Sequence, residues 1–288
     1  YGVPFDNGAV IGAYRTDILE QAGYTTADLT DIDWNRFIEI GKDVKAKTGT
    51  YMLSGQADSP DTIMMMLQSA GASLFDEDGK PAMTDNAALK ECIDIYKTMV
   101  DEGIYLEVNK WDDYVTSITK GSVAGVINGN WIIATIQGME DTAGKWEITN
   151  MPKLIKTPNA TNYSNNGGSS WYITSNCKNK DLAIDFLKST FAGSVELYDK
   201  ILASTGAIAT YLPAGESEKY AEPVAYWSDQ PIYKTIVDYS KLTPANNTSP
   251  YYYDGRNAIG TQIQNIMNGA DTDSAIADAQ AEVEFSMQ

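Results

Sequence analysis

Apolar residues recur at helical spacing along most of this chain, and short unbroken apolar runs interrupt them. Trp34, Phe37, Ile38, Gly41 and Val44 fall on one face of a 3.6-residue period. Asp33 before them suits a helix N-cap, and Gly49 after them suits a left-handed stop. The same pattern predicts helices over 17–22, 61–70, 112–120, 195–203, 218–225, 230–239, 256–267 and 273–285. A further helix runs from a Thr84 or Asp85 cap to Val100, and another follows Asn179 through Phe186 and Leu187. Extended segments are expected at 1–14, broken by Asp6-Asn7-Gly8, and at 51–54, 123–128, 146–151 and 171–174. Residues 73–83 read as a hairpin turning on Asp78-Gly79, and 156–168 as a polar loop. Strands are few and short beside the helices, which places the chain in the α/β class with a helix excess.

One stretch stands out. Trp111 to Tyr114 opens a helix, Gly121 turns the chain, 123–128 forms a strand, and Gly129-Asn130 then carries Trp131 beyond its regular end. An aromatic ring at that point is free to meet a ligand.

Composition narrows the picture. With 288 residues and 43% hydrophobic content the chain can bury a substantial core. Its 21 basic and 39 acidic residues give 21 − 39 = −18, which repels phosphate backbones and anionic lipid and argues against nucleic-acid or membrane-surface partners. No apolar run approaches the ~20 residues of a membrane span, and no signal peptide is evident. The opening Tyr1-Gly2-Val3-Pro4-Phe5 reads as a processed or truncated piece. Cys92 lies on a buried helical stripe, and two cysteines do not make a disulfide framework. Histidine is absent, which excludes histidine-dependent triads and zinc sites. Asp76, Asp78 and Gly79 imitate the start of a calcium loop, but no glutamate closes it, so no metal is expected there.

The available side chains suit a sugar. A pyranose offers apolar C–H faces and a ring of hydroxyls, so it needs flat aromatic platforms and paired donors and acceptors. Trp131 and Trp171 on strand ends could supply platforms, and Asp6, Asn7, Asp61, Tyr253, Asp254 and Arg256 could supply polar contacts. Plainer roles stand beside these: Trp171 as a packing residue, Asp6 and Asn7 as caps of a turn, Asp61 as the cap of its helix, and Arg256 as a surface charge.

Several motifs in order carry a resemblance. Gly2-Val3-Pro4-Phe5-Asp6, Tyr14-Arg15-Thr16-Asp17, Asp33-Trp34, Asp78-Gly79, Lys120-Gly121, Ile127-Asn128-Gly129-Asn130-Trp131, Gly167-Gly168-Ser169-Ser170-Trp171 and Asn179 through Leu187 together resemble the extracellular solute-binding proteins of ABC importers. Within these the chain is most similar to the carbohydrate-binding family that includes maltose-binding protein. The resemblance implies a two-lobed, periplasmic-binding-protein-like fold with the C-terminal lobe nearly complete, at 9–166 and 214–288. Residues 1–8 and 167–213 would then be the hinge and the remnant of a partial N-terminal lobe, whose first hundred or so residues lie outside this sequence. Trp131 occupies the position of the family's stacking tryptophan, and Arg256 lies near a cleft position of the last helical pair. A monomer is implied that captures a carbohydrate by lobe closure and delivers it to the permease transmembrane subunits. It would act on the outer face of the membrane as a lipoprotein, or in the periplasm, with no cofactor and no catalytic residue.

Three other readings are open. A ferric-ion binder of the same fold would use Tyr251-Tyr252-Tyr253 as phenolate ligands, and a polyamine binder would exploit the acidity. A glycoside hydrolase would need a carboxylate pair, and no motif selects one.

Overall fold

The computed structural model describes residues 2–288, so Tyr1 of the expected first segment lies outside the described residues. From the N-terminus the elements run β1 (Gly2–Arg15), α1 (Thr16–Ala22), α2 (Trp34–Thr48), β2 (Leu53–Gln56), α3 (Asp61–Ser69), α4 (Ala87–Asp101), β3 (Tyr105–Val108), α5 (Trp111–Thr119), β4 (Gly125–Gly129) and α6 (Ile133–Gln137). They continue with β5 (Trp146–Thr149), β6 (Asn165–Tyr172), α7 (Lys180–Ser189), α8 (Val195–Thr205), α9 (Leu212–Gly215), α10 (Glu218–Ala221), α11 (Ile232–Leu242), α12 (Tyr252–Met267) and α13 (Thr272–Ser286).

The run Ala9-Val10-Ile11-Gly12-Ala13-Tyr14 has no polar alternation, and the second half of β1 is accordingly buried on both faces. Val10 and Tyr14 enter one core, built with α2, α3, α4, α12 and α13. Ala9, Ile11 and Ala13 enter a second core, built with α5, α6, α8 and α11. This half of β1 pairs antiparallel with β4 (Val10 opposite Gly129, Tyr14 opposite Gly125) and with β5 (Gly12 opposite Thr149). Its first half pairs antiparallel with β6, from Gly2 opposite Tyr172 to Ala9 opposite Asn165. A separate parallel pair, β2 and β3, aligns Leu53 with Tyr105 and Gln56 with Val108.

Local signals hold at α2, where Asp33 Oδ1 accepts from Arg36 N at 2.9 Å and Gly49 takes φ 77°. Elsewhere tertiary contacts move the boundaries. Asp6-Asn7-Gly8 does not break β1: the strand passes through with register shifts between Pro4 and Asp6 and between Asn7 and Ala9. Side chains take over the ladder there. Ser169 N donates to Asp6 Oδ1 at 2.7 Å, Gly8 N to Asn165 Oδ1 at 3.1 Å, and Ala9 N to Asn7 Oδ1 at 3.2 Å.

Helix α4 is capped by Asn86, whose Oδ1 accepts from Leu89 N, because Thr84 is drawn away to Gln280 Oε1 by both its N–H and its hydroxyl. The 73–83 hairpin turns at Gly79, which takes φ 75°, and is closed by Ala82 N donating to Leu74 O at 2.8 Å and Asp76 N to Lys80 O at 2.9 Å around a bridge between Phe75 and Pro81. Asp76 Oδ1 also holds that turn, accepting from Asp78 N and Lys80 N at 2.9 Å each. The polar loop ends early, since β6 begins at Asn165, and α10 stops at Ala221, two residues before Pro223. Helix α12 starts four residues ahead of its expected Arg256 start. Cys92 is buried, Cys177 is partly exposed, and both are free thiols.

Candidate functional site

Strand β4 ends at Gly129 and passes into a single 3-10 turn, Asn130–Ile132, which carries Trp131. A Cβ on Gly129 would stand 2.2 Å from the Asn166 carbonyl oxygen and 2.4 Å from Trp131 Nε1, so the indole edge fits there only beside glycine. Gly167, at φ 111°, closes the same edge with a backbone conformation that other residues rarely adopt. The ring donates from Nε1 to Asn166 O at 2.8 Å and remains 39% exposed.

Asparagine side chains lock this junction. Asn128 Oδ1 accepts from Asn166 Nδ2 at 2.9 Å and from Gly129 N at 2.8 Å. Asn130 Nδ2 donates to both the carbonyl and the Oδ1 of Asn7 at 3.1 Å. The end of β4, the middle of β1 and the start of β6 are thereby tied together beneath the tryptophan.

Trp131 lines a cavity of about 520 Å³, a volume in the ordinary range for small-ligand sites. Asp61, Met64 and Gln68 of α3, Asn165 to Gly168 of β6, Asn246 to Thr248, and Tyr252, Tyr253 and Arg256 of α12 form the other walls. Gln68 Nε2 donates to Pro244 O at 2.6 Å and anchors the loop before α12. Across the cavity Arg256 Nη2 donates to Asp61 Oδ1 at 2.5 Å and to Ser59 Oγ at 3.2 Å. Asp61 also borders a narrower hollow of about 30 Å³, lined by Ser54, Gln56, Tyr105, Trp111, Tyr114 and Asn128 among others. Trp111 and Trp131 meet at 5.7 Å with planes tilted by 43°, and Trp111 is 43% exposed.

Burial keeps the phenols of this region in their neutral, hydrogen-bonding form. It pushes the Tyr114 hydroxyl up to about 12, against the opposing hydrogen bond from Asn128 Nδ2, and it raises Tyr105 against its bond to Thr62. Tyr252 is raised by burial as well, with the charge of Arg256 acting the other way.

Of the eight residues singled out in the sequence, Trp131, Asp61, Tyr253 and Arg256 converge on this cavity. Asp6 and Asn7 sit at the bulges of β1, and Asn7 reaches the site only through Asn130. Trp171 lies elsewhere, with Phe5 at 5.6 Å and Phe191 at 5.1 Å, beside a hollow of about 420 Å³ lined by Ile173, Ile184 and Leu187 among others. Asp254 precedes Arg256 by two helical positions, about 200° around the axis, and is exposed outside the cavity lining. Sequence reasoning overlooked Trp111, Gln68, Asn166, Asn246 and Asn247. Trp111 did leave a signal: it is a large aromatic at the first position of α5, directly before Asp112 and Asp113.

Chemically, the site offers indole faces, neutral amides and hydroxyls, and one ion pair, a set suited to an uncharged polyhydroxyl ligand with an apolar face. The consecutive tyrosines divide between core and cavity, with Tyr252 and Tyr253 on the cavity side. Tyr251 packs against the first core, and the Tyr252 and Tyr253 rings stand at 82° to each other on successive helical positions. Among the described residues no group of three histidine, cysteine, aspartate or glutamate side chains is placed to hold one metal ion.

Comparison with known proteins gives an independent view. A family model described as bacterial extracellular solute-binding protein matches residues 1–229. A lactose-binding protein of Rhizobium radiobacter is 38% identical over 276 residues, covering 96% of this chain and 65% of the relative. The chain thus spans a little under two thirds of that curated relative's length. A crystal structure of an extracellular solute-binding protein family 1 member superposes with a TM-score of 0.82 at 18% identity, covering 100% of this chain and 73% of the other. The ABC transporter associated binding protein from B. animalis subsp. lactis Bl-04, solved with β-1,6-galactobiose, gives a TM-score of 0.78 at 20% identity, covering 100% and 72%.

Proposed function

The chain belongs to the bacterial extracellular solute-binding proteins and has their two-lobed, helix-rich α/β fold, and on that premise we propose that it captures a saccharide outside the cell membrane for delivery to the transmembrane subunits of an ABC importer. The observation that carries this reading is Trp131, held by Gly129, Gly167 and Asn166 as a half-exposed platform over a cavity of amide and hydroxyl groups. The name of the lactose-binding relative supports the same ligand class.

The mechanism is closure driven by ligand. Contacts made by both lobes stabilise the closed arrangement by their differential affinity for it, and no covalent step is required. We propose residues 9–166 and 214–288 as one lobe and 1–8 and 167–213 as the hinge and remnant of the other, with α8, Ile208 and Ala209 of the latter stretch packed into the second core. The second half of β1 lies between the two cores, while its first half runs with β6 toward α7, where Leu182 and Phe186 are 70% and 57% exposed. The protein would work as a monomer at the extracellular face of the cell membrane, lipid-anchored, or in the periplasm. The family description supports an extracellular site, and no helix among the described residues is long and apolar enough to cross a membrane.

The test is a thermal-shift screen against neutral mono-, di- and oligosaccharides including lactose, with ferric ion, spermidine and a chromogenic glycoside as competitors. A rise in melting temperature with saccharide is expected. A response confined to iron or spermidine, or release of the chromophore, would overturn the reading.

A further inference from the structure

Asp61 and Arg256 are the charged side chains lining the 520 Å³ cavity, and Asp61 is the charged side chain of the smaller hollow beside it. They come together from positions 195 residues apart: Asp61 opens α3, and Arg256 lies one turn into α12. The guanidinium is committed through Nη2 to Asp61 Oδ1 and Ser59 Oγ. Asp61 Oδ1 is thus occupied, while Oδ2 keeps its acceptor capacity at the cavity wall, where the side chain is 37% exposed. A sugar hydroxyl can donate to that oxygen. A ligand carboxylate would face the same oxygen, would meet a guanidinium whose charge Asp61 already balances, and would approach a chain of net charge −18.

We infer that the Asp61–Arg256 pair is the charge filter of the site: Asp61 receives hydroxyls of an uncharged saccharide, Arg256 positions Asp61, and the pair rejects saccharides that carry a carboxylate. This rests on the saccharide-binding function proposed above and adds to it a class of ligand and the residues that select it. The two halves of the pair have opposite effects when removed. Asp61→Asn frees a guanidinium in the cavity wall, where its planar donors can receive a carboxylate. Arg256→Gln leaves Asp61 unpaired and without its orienting partner, so neutral ligands bind more weakly and anionic ones gain nothing.

The experiment is calorimetric titration of the full chain and of both variants with lactose and with lactose oxidised to a carboxylate at C6, with melting temperatures as a folding control. The wild type should prefer lactose by at least about 100-fold, as expected where like charges are opposed. In Asp61→Asn the lactose affinity should fall and the preference should shrink by roughly tenfold or more, whereas Arg256→Gln should lose lactose affinity and keep the preference. An unchanged preference in Asp61→Asn, with saccharide still bound, overturns the filter and leaves the proposed function standing. Should Asp61→Asn fail to fold, unchanged lactose affinity in Arg256→Gln overturns the positioning role. If no saccharide of the wider panel binds the folded wild type, the proposed function itself fails and the filter with it.

Discussion

The indole nitrogen of Trp131 donates to the backbone carbonyl of Asn166 across 2.8 Å, joining the turn after β4 to the first residues of β6. Since β6 pairs with the bulged half of β1, the ring that faces the cavity is fixed to the strands that lead away from it. Anything that moves these strands moves the platform.

Gly129→Ala should therefore act on the site. The added methyl would stand 2.2 Å from Asn166 O and 2.4 Å from Trp131 Nε1, and the cost of such overpacking is about 1–3 kcal/mol. Urea denaturation should show that loss, and saccharide affinity should fall in parallel. Wild-type affinity in a folded Gly129→Ala protein would show that the indole has another resting place.

Trp111 should contribute to binding through its packing with Trp131. Replacing it by alanine removes one half of a tilted aromatic pair, worth about 0.5–1.5 kcal/mol. Calorimetry should show a comparable weakening of saccharide binding; equal affinities would place Trp111 outside the site.

Glu91 sets a stability prediction away from the cavity. Its carboxylate is 5% exposed and accepts from Ile155 N at 2.7 Å, Lys156 N at 2.8 Å and Thr157 Oγ1 at 2.8 Å. Glu91→Ala would orphan two backbone N–H groups and should cost on the order of 2–4 kcal/mol in urea denaturation. A loss below about 1 kcal/mol would mean that the 155–157 loop finds other partners.

The melting temperature should be nearly flat between about pH 6 and 8, because histidine is absent and burial raises the Cys92 thiol. On the acid side, hydrogen bonding to Arg15 holds Asp17 below its ordinary range, and the backbone and hydroxyl bonds of Thr25 and Ser274 do the same for Asp28 and Asp271. A carboxyl whose folded pKa is depressed stabilises the fold above its unfolded value, near 4, and loses that contribution as pH falls through the folded one. A scan of melting temperature against pH should thus fall only below about 4. A steep change between about 6 and 8 would contradict it.

How much of this was legible in the sequence depended on whether the signal was local. Asp33 and Gly49 announce α2 because a cap and a stop need only their neighbours. Trp131 was legible because Gly129-Asn130 separates it from the apolar run of β4. Strand β6 was not: Asn165 to Ser170 has no apolar alternation, lies largely exposed, and is held by pairing with a distant segment. The bulges at Asp6 and Asn7 were hidden for the same reason, since a register shift belongs to two strands at once. Asp61 and Arg256 were each visible, but their ion pair spans 195 positions and exists only in the folded chain. Asp254 shows the reverse case, where nearness in sequence to Arg256 misleads because two helical steps carry a residue to the far side.

The most direct test of the central claim is a calorimetric titration of wild type and Trp131→Ala with the saccharide that gives the largest thermal shift. The expected result is a loss of at least about 1 kcal/mol, roughly fivefold in affinity, with the melting temperature of the free protein little changed. Unchanged affinity in a folded Trp131→Ala protein would show that the cavity beside this tryptophan is not where the ligand binds.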